Sequence, residues 1–347
     1  MKLDDLIEQT SEWLRGTGLD SEIVISSRIR LARNVAKMPF SHWAAKQQSQ
    51  QVLKICKDAI EASNMTKDAI FVRIEDLNSI DKQFLLERHL VSKELIAKSD
   101  SKAVAIGDKE IISIMVNEED HLRMQVVQSG FNLRQAWQIV DSLDADLGSK
   151  IDFAFSSELG FLTACPTNTG TGMRASVMLH LPALVMTKQI NKVLQTISKL
   201  SLTARGFYGE GTQASGNFFQ ISNQTTLGHI EMDAIDNIER VIKQIVMHEQ
   251  AARKILNTQH KTEFQDRIQR ALGILKNAFI ITSNETTELL SMVRLGVDMG
   301  MIKDINISKL NQLFISTQPA HLQKLEGKAL SASERDAKRA EVIKEVF

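Results

Sequence analysis

Arginine recurs in this sequence at spacings that give it more to do than keep a surface wet. In Ser26-Ser27-Arg28-Ile29-Arg30 two arginines stand two apart. On a strand, Arg28 and Arg30 point to one face while Ile29 and Leu31 point to the other. Arg123 is opposite in phase to Leu122, Met124 and Val126. Arg174 shares a face with Ser176, Met178 and His180, leaving Met173, Ala175, Val177 and Leu179 for the core. Arg205 comes just before Gly206, at the edge of a glycine-rich turn. Taken singly, each reads as a solvated surface arginine. Yet an ordinary surface is served as well by lysine, and these strands use arginine. Its planar five-donor fork suits a triphosphate and stabilises charge on a transferring phosphoryl group.

Two acidic settings and one thiol accompany the arginines. Glu118-Glu119-Asp120 forms a polar break shortly before Arg123, and Glu210 lies between Gly209 and Gly211. Carboxylates in turns ordinarily just stay solvated. The glycine flanks set Glu210 apart, because loops with glycine hinges often close over substrates. Cys165 ends an apolar segment and leads through Pro166 and a Thr/Asn/Gly loop to Arg174. An inert core cysteine and a thiolate in an electropositive place are both open readings. Cys56 falls on the apolar face of a helix and reads as core.

The elements that would position these groups follow from periodicity. Residues 3–15 predict a short amphipathic helix and residues 22–31 a strand. A helix follows at 46–63, a strand at 71–74 and a helix at 81–90. Residues 110–117 and 121–127 predict a hairpin around the acidic break. A helix spans 132–147, one or two strands lie in 152–165, and residues 172–181 alternate as a strand. Pro182 starts a helix to about residue 200, and strands follow near 202–208 and 217–223. From His229 onward the chain reads as helical. The polar break at 258–261 marks a boundary, giving an α+β part with a mostly antiparallel sheet over residues 1–256 and an all-helical part over 257–347.

Composition narrows the functional classes. The 347 residues are 43% apolar and 24% charged, which suits a soluble globular chain of two domains. Lys plus Arg and Asp plus Glu balance at 42 each, so no global field favours nucleic acid or an anionic membrane. Any phosphate site is therefore a local arginine cluster. Two cysteines make no disulfide framework and point to a reducing cytoplasm. The N-terminal residues mix acidic with apolar types and read as no signal peptide, and no stretch approaches 18 uncharged apolar residues. GxxxxGK[ST], HRD and DFG are absent, which excludes P-loop enzymes and ordinary protein kinases. His248-Glu249-Gln250-Ala251-Ala252 lacks the second histidine of a zincin helix, so no metal site is expected there.

Over roughly residues 20–230 the chain resembles the phosphagen (guanidino) kinases. SSRIR, NEEDHLR, CPTNTGTGMRAS and RGFYGEG carry the resemblance, in that order. Within the family it looks most like the bacterial protein-arginine kinases. The resemblance implies a phosphagen-kinase-like catalytic domain, in which a sheet is flanked by helices, and ATP as phosphoryl donor with Mg2+ carried on the phosphates. It implies that Arg28, Arg30, Arg123, Arg174 and Arg205 hold the nucleotide phosphates, that Glu119 and Glu210 grip the acceptor guanidinium, and that Cys165 sits beside its reacting nitrogen. Gln213 stands where animal-type members usually have a second glutamate. The extra N-terminal helical domain of those members has no counterpart here, which implies an open site suited to a protein side chain.

The C-terminal part carries Arg335-Asp336-Ala337-Lys338-Arg339-Ala340, similar to the RDxxRA motif of the protein-arginine kinases. There it forms a phosphoarginine-binding pocket. Ser331 with Glu334 reads as a capping box, and Arg335 and Arg339 then share a helix face. Without the resemblance this is a solvated charged helix. The family further implies a homodimer joined through the helical part, a stress-response role, a heat-shock repressor among the protein substrates, marking of proteins for a Clp ATPase, and a zinc-binding activator. Two rivals remain: a kinase for free arginine or another small guanidine, and a non-catalytic phosphoarginine reader.

Overall fold

The structure, a computed structural model, describes residues 3–206 and 215–347. The alternation around Arg28 becomes β1 (Val24–Arg33), followed by α1 (Lys46–Ala62), β2 (Ile70–Arg73), α2 (Ser79–Glu87) and α3 (Lys93–Ala97). Then come β3 (Ala103–Ile106), β4 (Ile112–Val116), β5 (Leu122–Ser129), α4 (Leu133–Gly148), the short pair β6 (Phe155–Ser156) and β7 (Gly160–Phe161), and β8 (Met173–His180). Two short helices, α5 (Pro182–Met186) and α6 (Ile190–Lys199), lead to β9 (Leu202–Arg205) and β10 (Phe218–Asn223). The remainder is helical: α7 (Glu231–Gln259), α8 (Lys261–Asn277), α9 (Ser283–Asp298), α10 (Ile307–Ser316), α11 (Pro319–Glu326) and α12 (Ala332–Lys344).

Among the described residues, eight strands form one sheet in the order β2-β3-β4-β5-β1-β8-β10-β9. Every neighbouring pair in it is antiparallel. One face is apolar. Ile29, Leu31, Met124, Val126, Ala175, Val177 and Ile221 are fully buried there. Against it lies α4, whose buried Leu133, Ala136, Val140, Leu143 and Leu147 recur at helical spacing. Each such side chain contributes on the order of 1.5–3 kcal/mol. The opposite face carries the arginines.

The helical C-terminal part shares this core, because Leu290, Val293, Leu313 and Ile343 belong to the same apolar cluster as the sheet. Two buried glutamates pin it in place by capping helices from a distance. Glu249 of α7 accepts from the amides of Ala183 and Leu184 at the start of α5, at 3.0 and 2.9 Å. Glu87 of α2 accepts from the amides of Ala320 and His321 at the start of α11, at 3.0 and 3.2 Å. A carboxylate at a helix N-terminus satisfies otherwise orphaned N–H groups. Glu249, beside the absent second histidine of the zincin pattern, is thus occupied structurally.

Several sequence expectations change. Residues 3–15 are two separate 3-10 turns, Leu3–Ile7 and Glu12–Leu14. Between them, Gln9 O accepts from Arg88 Nη2 at 2.8 Å and Ser11 Oγ donates to buried Glu110 at 2.5 Å, so side chains capture the intervening backbone. Glu110 accordingly lies in a turn before β4, with φ at 60°. β3 gave no period-2 signal because all four of its residues are buried. The helix expected from Pro182 to 200 breaks between α5 and α6, where Lys188 takes a φ of 59°.

The loop between β7 and β8 depends on glycine. Gly172 has φ +63°, and a Cβ there would stand 2.6 Å from Arg33 Nη1 and 2.7 Å from Ala32 O. Arg33 cannot yield. It is buried, donates to Thr171 O at 2.9 Å, pairs with Asp144 at 2.7 Å and lies 3.4 Å over the Phe161 ring. Gly172→Ala is expected to cost at least about 1–3 kcal/mol. Urea denaturation would read this as a lowered midpoint, and an unchanged midpoint would contradict it.

Candidate active site

Register gathers the arginines. Arg30 stands opposite Arg174 on β8 and Gln125 on β5, Arg28 opposite Ser176, and Arg205 opposite Gln220. Directly opposed residues of antiparallel strands share a face, as do residues two apart. Arg28, Arg30, Arg123, Arg174 and Arg205 therefore all occupy the non-core face. They line a cleft of about 990 Å³ together with Glu118, Glu119 and Cys165.

These guanidinium groups are not simply neutralised by neighbours. Arg174 donates from Nε and Nη2 to Ser222 Oγ at 3.2 and 3.1 Å, and from Nη2 to Thr203 Oγ1 at 3.2 Å. Arg28 reaches only Ser176 Oγ at 3.4 Å and Gln125 Oε1 at 3.5 Å. Arg30 Nε is buried and has no hydrogen-bond partner. Burial first, then Arg174, Arg123 and Arg205, push Arg28 down to about 10. Burial, then Arg28, Arg123 and Arg174, push Arg30 well below its ordinary value. Nearby His89 is held at about 3 by burial and then by Arg28, so it stays neutral. A buried donor without an acceptor among crowded like charges fits a polyanion such as a nucleotide triphosphate. The arginine face offers donors, not oxygen ligands, so a magnesium ion there would be held by phosphate oxygens.

The other end of the cleft is acidic. Arg123 donates to Glu118 at 2.7 Å and to Glu119 at 3.3 Å. Glu118 is buried and also accepts from Ser92 Oγ at 2.5 Å. Glu119 is largely open to the cleft, at 42% side-chain exposure. Its carboxyl is held above the usual range, chiefly by burial, with Arg123 opposing and Asp120 and Glu118 adding to the rise. Cys165, half-buried, places Sγ 3.0 Å from Thr167 Oγ1. Its loop is fixed because Thr226 Oγ1 lies 2.9 Å from Thr167 O and 2.7 Å from Thr169 O.

Asp120 joins the two acceptor-end segments, which the motifs alone did not reveal. Its Oδ1 accepts from Asn34 Nδ2 and from the Ala164 amide, both at 2.7 Å. The first bond ties the Glu119 turn to the end of β1, and the second ties it to the residue before Cys165. Asn34 Oδ1 in turn accepts from the His121 amide at 2.9 Å. His121 Nδ1 accepts from the Val35 amide at 3.0 Å, so its Nε2 carries the proton given to Pro39 O at 2.9 Å. A polar Asn34 at the end of an apolar strand was the available signal. Gln318 and Pro319, before and at the start of α11, also line the cleft and left no signal, since only tertiary packing brings them there.

The remaining predicted site residues lie elsewhere. Glu210 and Gln213 are outside the described residues. Arg335, Asp336 and Arg339 lie on α12, whose Ser331–Glu334 capping box forms in both directions. Arg335 donates to Leu330 O at 2.7 Å. Arg339 is buried and donates to Thr317 O and Ile281 O, both at 2.8 Å, and to Asp336 at 2.5 Å.

An antiparallel sheet with an arginine face, closed at one end by carboxylates and a thiol, defines a phosphoryl-transfer fold of the guanidino-kinase class. Residues 51–252 match the family described as ATP:guanido phosphotransferase, C-terminal catalytic domain, and the chain belongs to that family, as its motifs imply. Residues 261–347 match the protein-arginine kinase McsB C-terminal domain. A protein-arginine kinase of Halothermothrix orenii is 48% identical over 345 residues, covering 99% of both chains. That of Desulforamulus reducens is 48% identical over 339 residues, covering 96% of this chain and 95% of its own. Among solved structures, the duplicated taurocyamine kinase of Schistosoma mansoni with transition-state analogue components superimposes with a TM-score of 0.60 at 25% identity. That match covers 66% of this chain and 33% of the duplicated one.

Asp120 thus acts as a positioning residue for Glu119 and Cys165. Asp120→Ala is expected to lower kcat by roughly 10- to 100-fold, because small displacements of reacting groups are costly, with KM for ATP little changed. Asp120→Asn keeps the Oδ1 acceptor and is expected to recover most of the loss. Equal losses in both variants, or a loss carried by ATP binding, would remove the positioning role.

Proposed function

We propose that this chain is a protein-arginine kinase, transferring the γ-phosphoryl group of ATP to arginine side chains of other proteins. The observation that carries the reading is a single cleft with five arginines on one wall and Glu119 with Cys165 at the far end. Arg28, Arg30, Arg123, Arg174 and Arg205 hold the phosphates. Glu119, joined by Glu210, takes the fork of the acceptor guanidinium bidentately. A guanidinium is protonated at neutral pH and a poor nucleophile. Glu119 accepts its proton as the nitrogen–phosphorus bond forms in line and the bond from phosphorus to the β-phosphate oxygen breaks, releasing ADP. Cys165 adds orientation beside the nitrogen. Magnesium, carried on the phosphates, neutralises charge there.

Residues 1–256 then form the catalytic domain, and residues 257–347 a dimerisation and phosphoarginine-binding domain. Arg335 and Asp336 would meet the phosphoryl and guanidino ends of phosphoarginine, with Arg339 holding Asp336 in place, as its bond to that carboxylate supports. The resemblance supports a cytoplasmic homodimer of the stress response, acting on a heat-shock repressor, marking proteins for a Clp ATPase and working with a zinc-binding activator.

The test is transfer of labelled γ-phosphate from Mg-ATP to an unfolded protein and free arginine offered together. Acid-labile label on protein arginines is expected. Label on free arginine alone would make the chain a phosphagen kinase, and no label, with an activator present, would make it a reader. Glu119→Gln is expected to lower kcat by about 10²- to 10⁴-fold, the usual share of general acid–base catalysis. Arg30→Ala is expected to weaken ATP binding about 10- to 100-fold, the worth of a charge-assisted hydrogen bond. Because Glu119 is raised and acts deprotonated, activity is expected to fall on acidification at a pH above that of an ordinary glutamate. A pH–rate profile that stays flat through that region would exclude Glu119 as the base.

A further inference from the structure

The segment after β1 carries an aromatic group that neither the fold nor the chemistry uses. Phe40, His42 and Trp43 form a cluster, with ring centroids 4.5 Å apart for His42–Trp43, 6.1 Å for Phe40–Trp43 and 6.3 Å for Phe40–His42. Trp43 is 73% exposed. A tryptophan so open gains the fold little and keeps a large apolar surface in water. The cluster is nonetheless held in one shape. The amides of Trp43 and Ala44 both donate to Phe40 O, at 2.9 and 3.0 Å.

Its anchor is the acceptor end of the cleft. Pro39 O accepts from His121 Nε2, and His121 stands two residues from Glu119. Two residues from Glu119 to His121 and four from Pro39 to Trp43 separate the acidic group from the tryptophan. An extended acceptor segment of about six residues covers that span at roughly 3.3–3.6 Å per residue. A second apolar element borders the same end. Phe155 and Leu159 of the β6–β7 hairpin are 60% and 46% exposed. That hairpin is fastened to the end of β1 by the Ala154 amide, which donates to Asn34 O at 2.8 Å. An arginine that belongs to a polypeptide cannot reach Glu119 and Cys165 without its flanking residues crossing this rim.

We propose that the Phe40–His42–Trp43 cluster docks the polypeptide that carries the acceptor arginine, taking an aromatic or aliphatic side chain a few residues from that arginine. The inference rests on the protein-arginine reading and adds a substrate class to it. Folded proteins bury such side chains, so the rim favours unfolded chains. The loop thereby acts before chemistry, lowering KM for the polypeptide and leaving the transfer step alone.

The experiment compares two peptides with one arginine each, identical except that residues three to six positions away are Phe and Leu in one and Ser in the other. The wild-type chain is expected to show a KM about 10-fold or more lower for the apolar peptide, in keeping with truncation effects at aromatic contacts. Trp43→Ala is expected to abolish the difference while kcat and KM for ATP stay unchanged, and Trp43→Phe to restore much of it. An unaltered melting temperature would exclude misfolding as the cause. Equal KM for the two peptides in the wild-type chain, or a preference that survives Trp43→Ala, would overturn the docking role while leaving the kinase reading intact. A preference lost together with a change in oligomeric state would assign the cluster to a contact between copies of this chain and overturn it as well. Transfer to free arginine but to neither peptide would overturn the kinase reading itself, and the docking role with it.

Discussion

Like charge held at close quarters is the constraint on which the rest of the structure depends. Arg28 and Arg30 are buried beside Arg123 and Arg174, and no carboxylate stands against Arg28 within the printed geometry of its bonds to Ser176 and Gln125. Such a cluster repels itself and is poorly solvated, so something else must hold it together. The antiparallel sheet does this. Ile29, Leu31, Ala175 and Val177 alternate with the arginines and are anchored in the core on the other side. Register fixes which guanidinium faces which, because a slip of one residue would send every arginine into the core. The apolar face thus supplies the free energy that keeps the charged face assembled.

The acceptor end solves a different problem. Positive charge is spread over several strands, but Glu119 and Cys165 come from a turn and a loop, which tertiary contacts must align. Asp120, Asn34 and His121 form one buried network that fastens both to the end of β1. Arg123 connects the two ends, since the same guanidinium sits on the arginine face and pairs with Glu118 and Glu119. A change of charge on one side is therefore felt on the other across a single side chain.

Much of this was legible in the sequence where period and residue type spoke together. The phase of Arg28, Arg30, Arg123 and Arg174 against their apolar neighbours gave the shared face, and the motif set gave the family. β3 was missed because a strand buried on both faces has no alternation to detect. Residues 3–15 were misread because their amphipathic pattern does not record that Arg88 and Glu110 capture Gln9 and Ser11. Asp120 was visible as part of an acidic turn, but its partners Asn34 and Ala164 lie 86 and 44 residues away. Gln318 and Pro319 at the cleft wall were illegible for the same reason: no local signal encodes a contact made from the far end of the chain.

The capping of α11 by Glu87 has a consequence for how the molecule comes into being. The two partners are separated by 233 residues, and α11 begins at Pro319, itself part of the cleft wall. A chain emerging from the ribosome completes every strand of the sheet before α11 is made. Until then the arginine face stands without one of its walls, and the Glu87 carboxylate waits for its amides. The nucleotide cleft is thus finished near the end of synthesis, which ties the onset of phosphate binding to the arrival of the C-terminal helices.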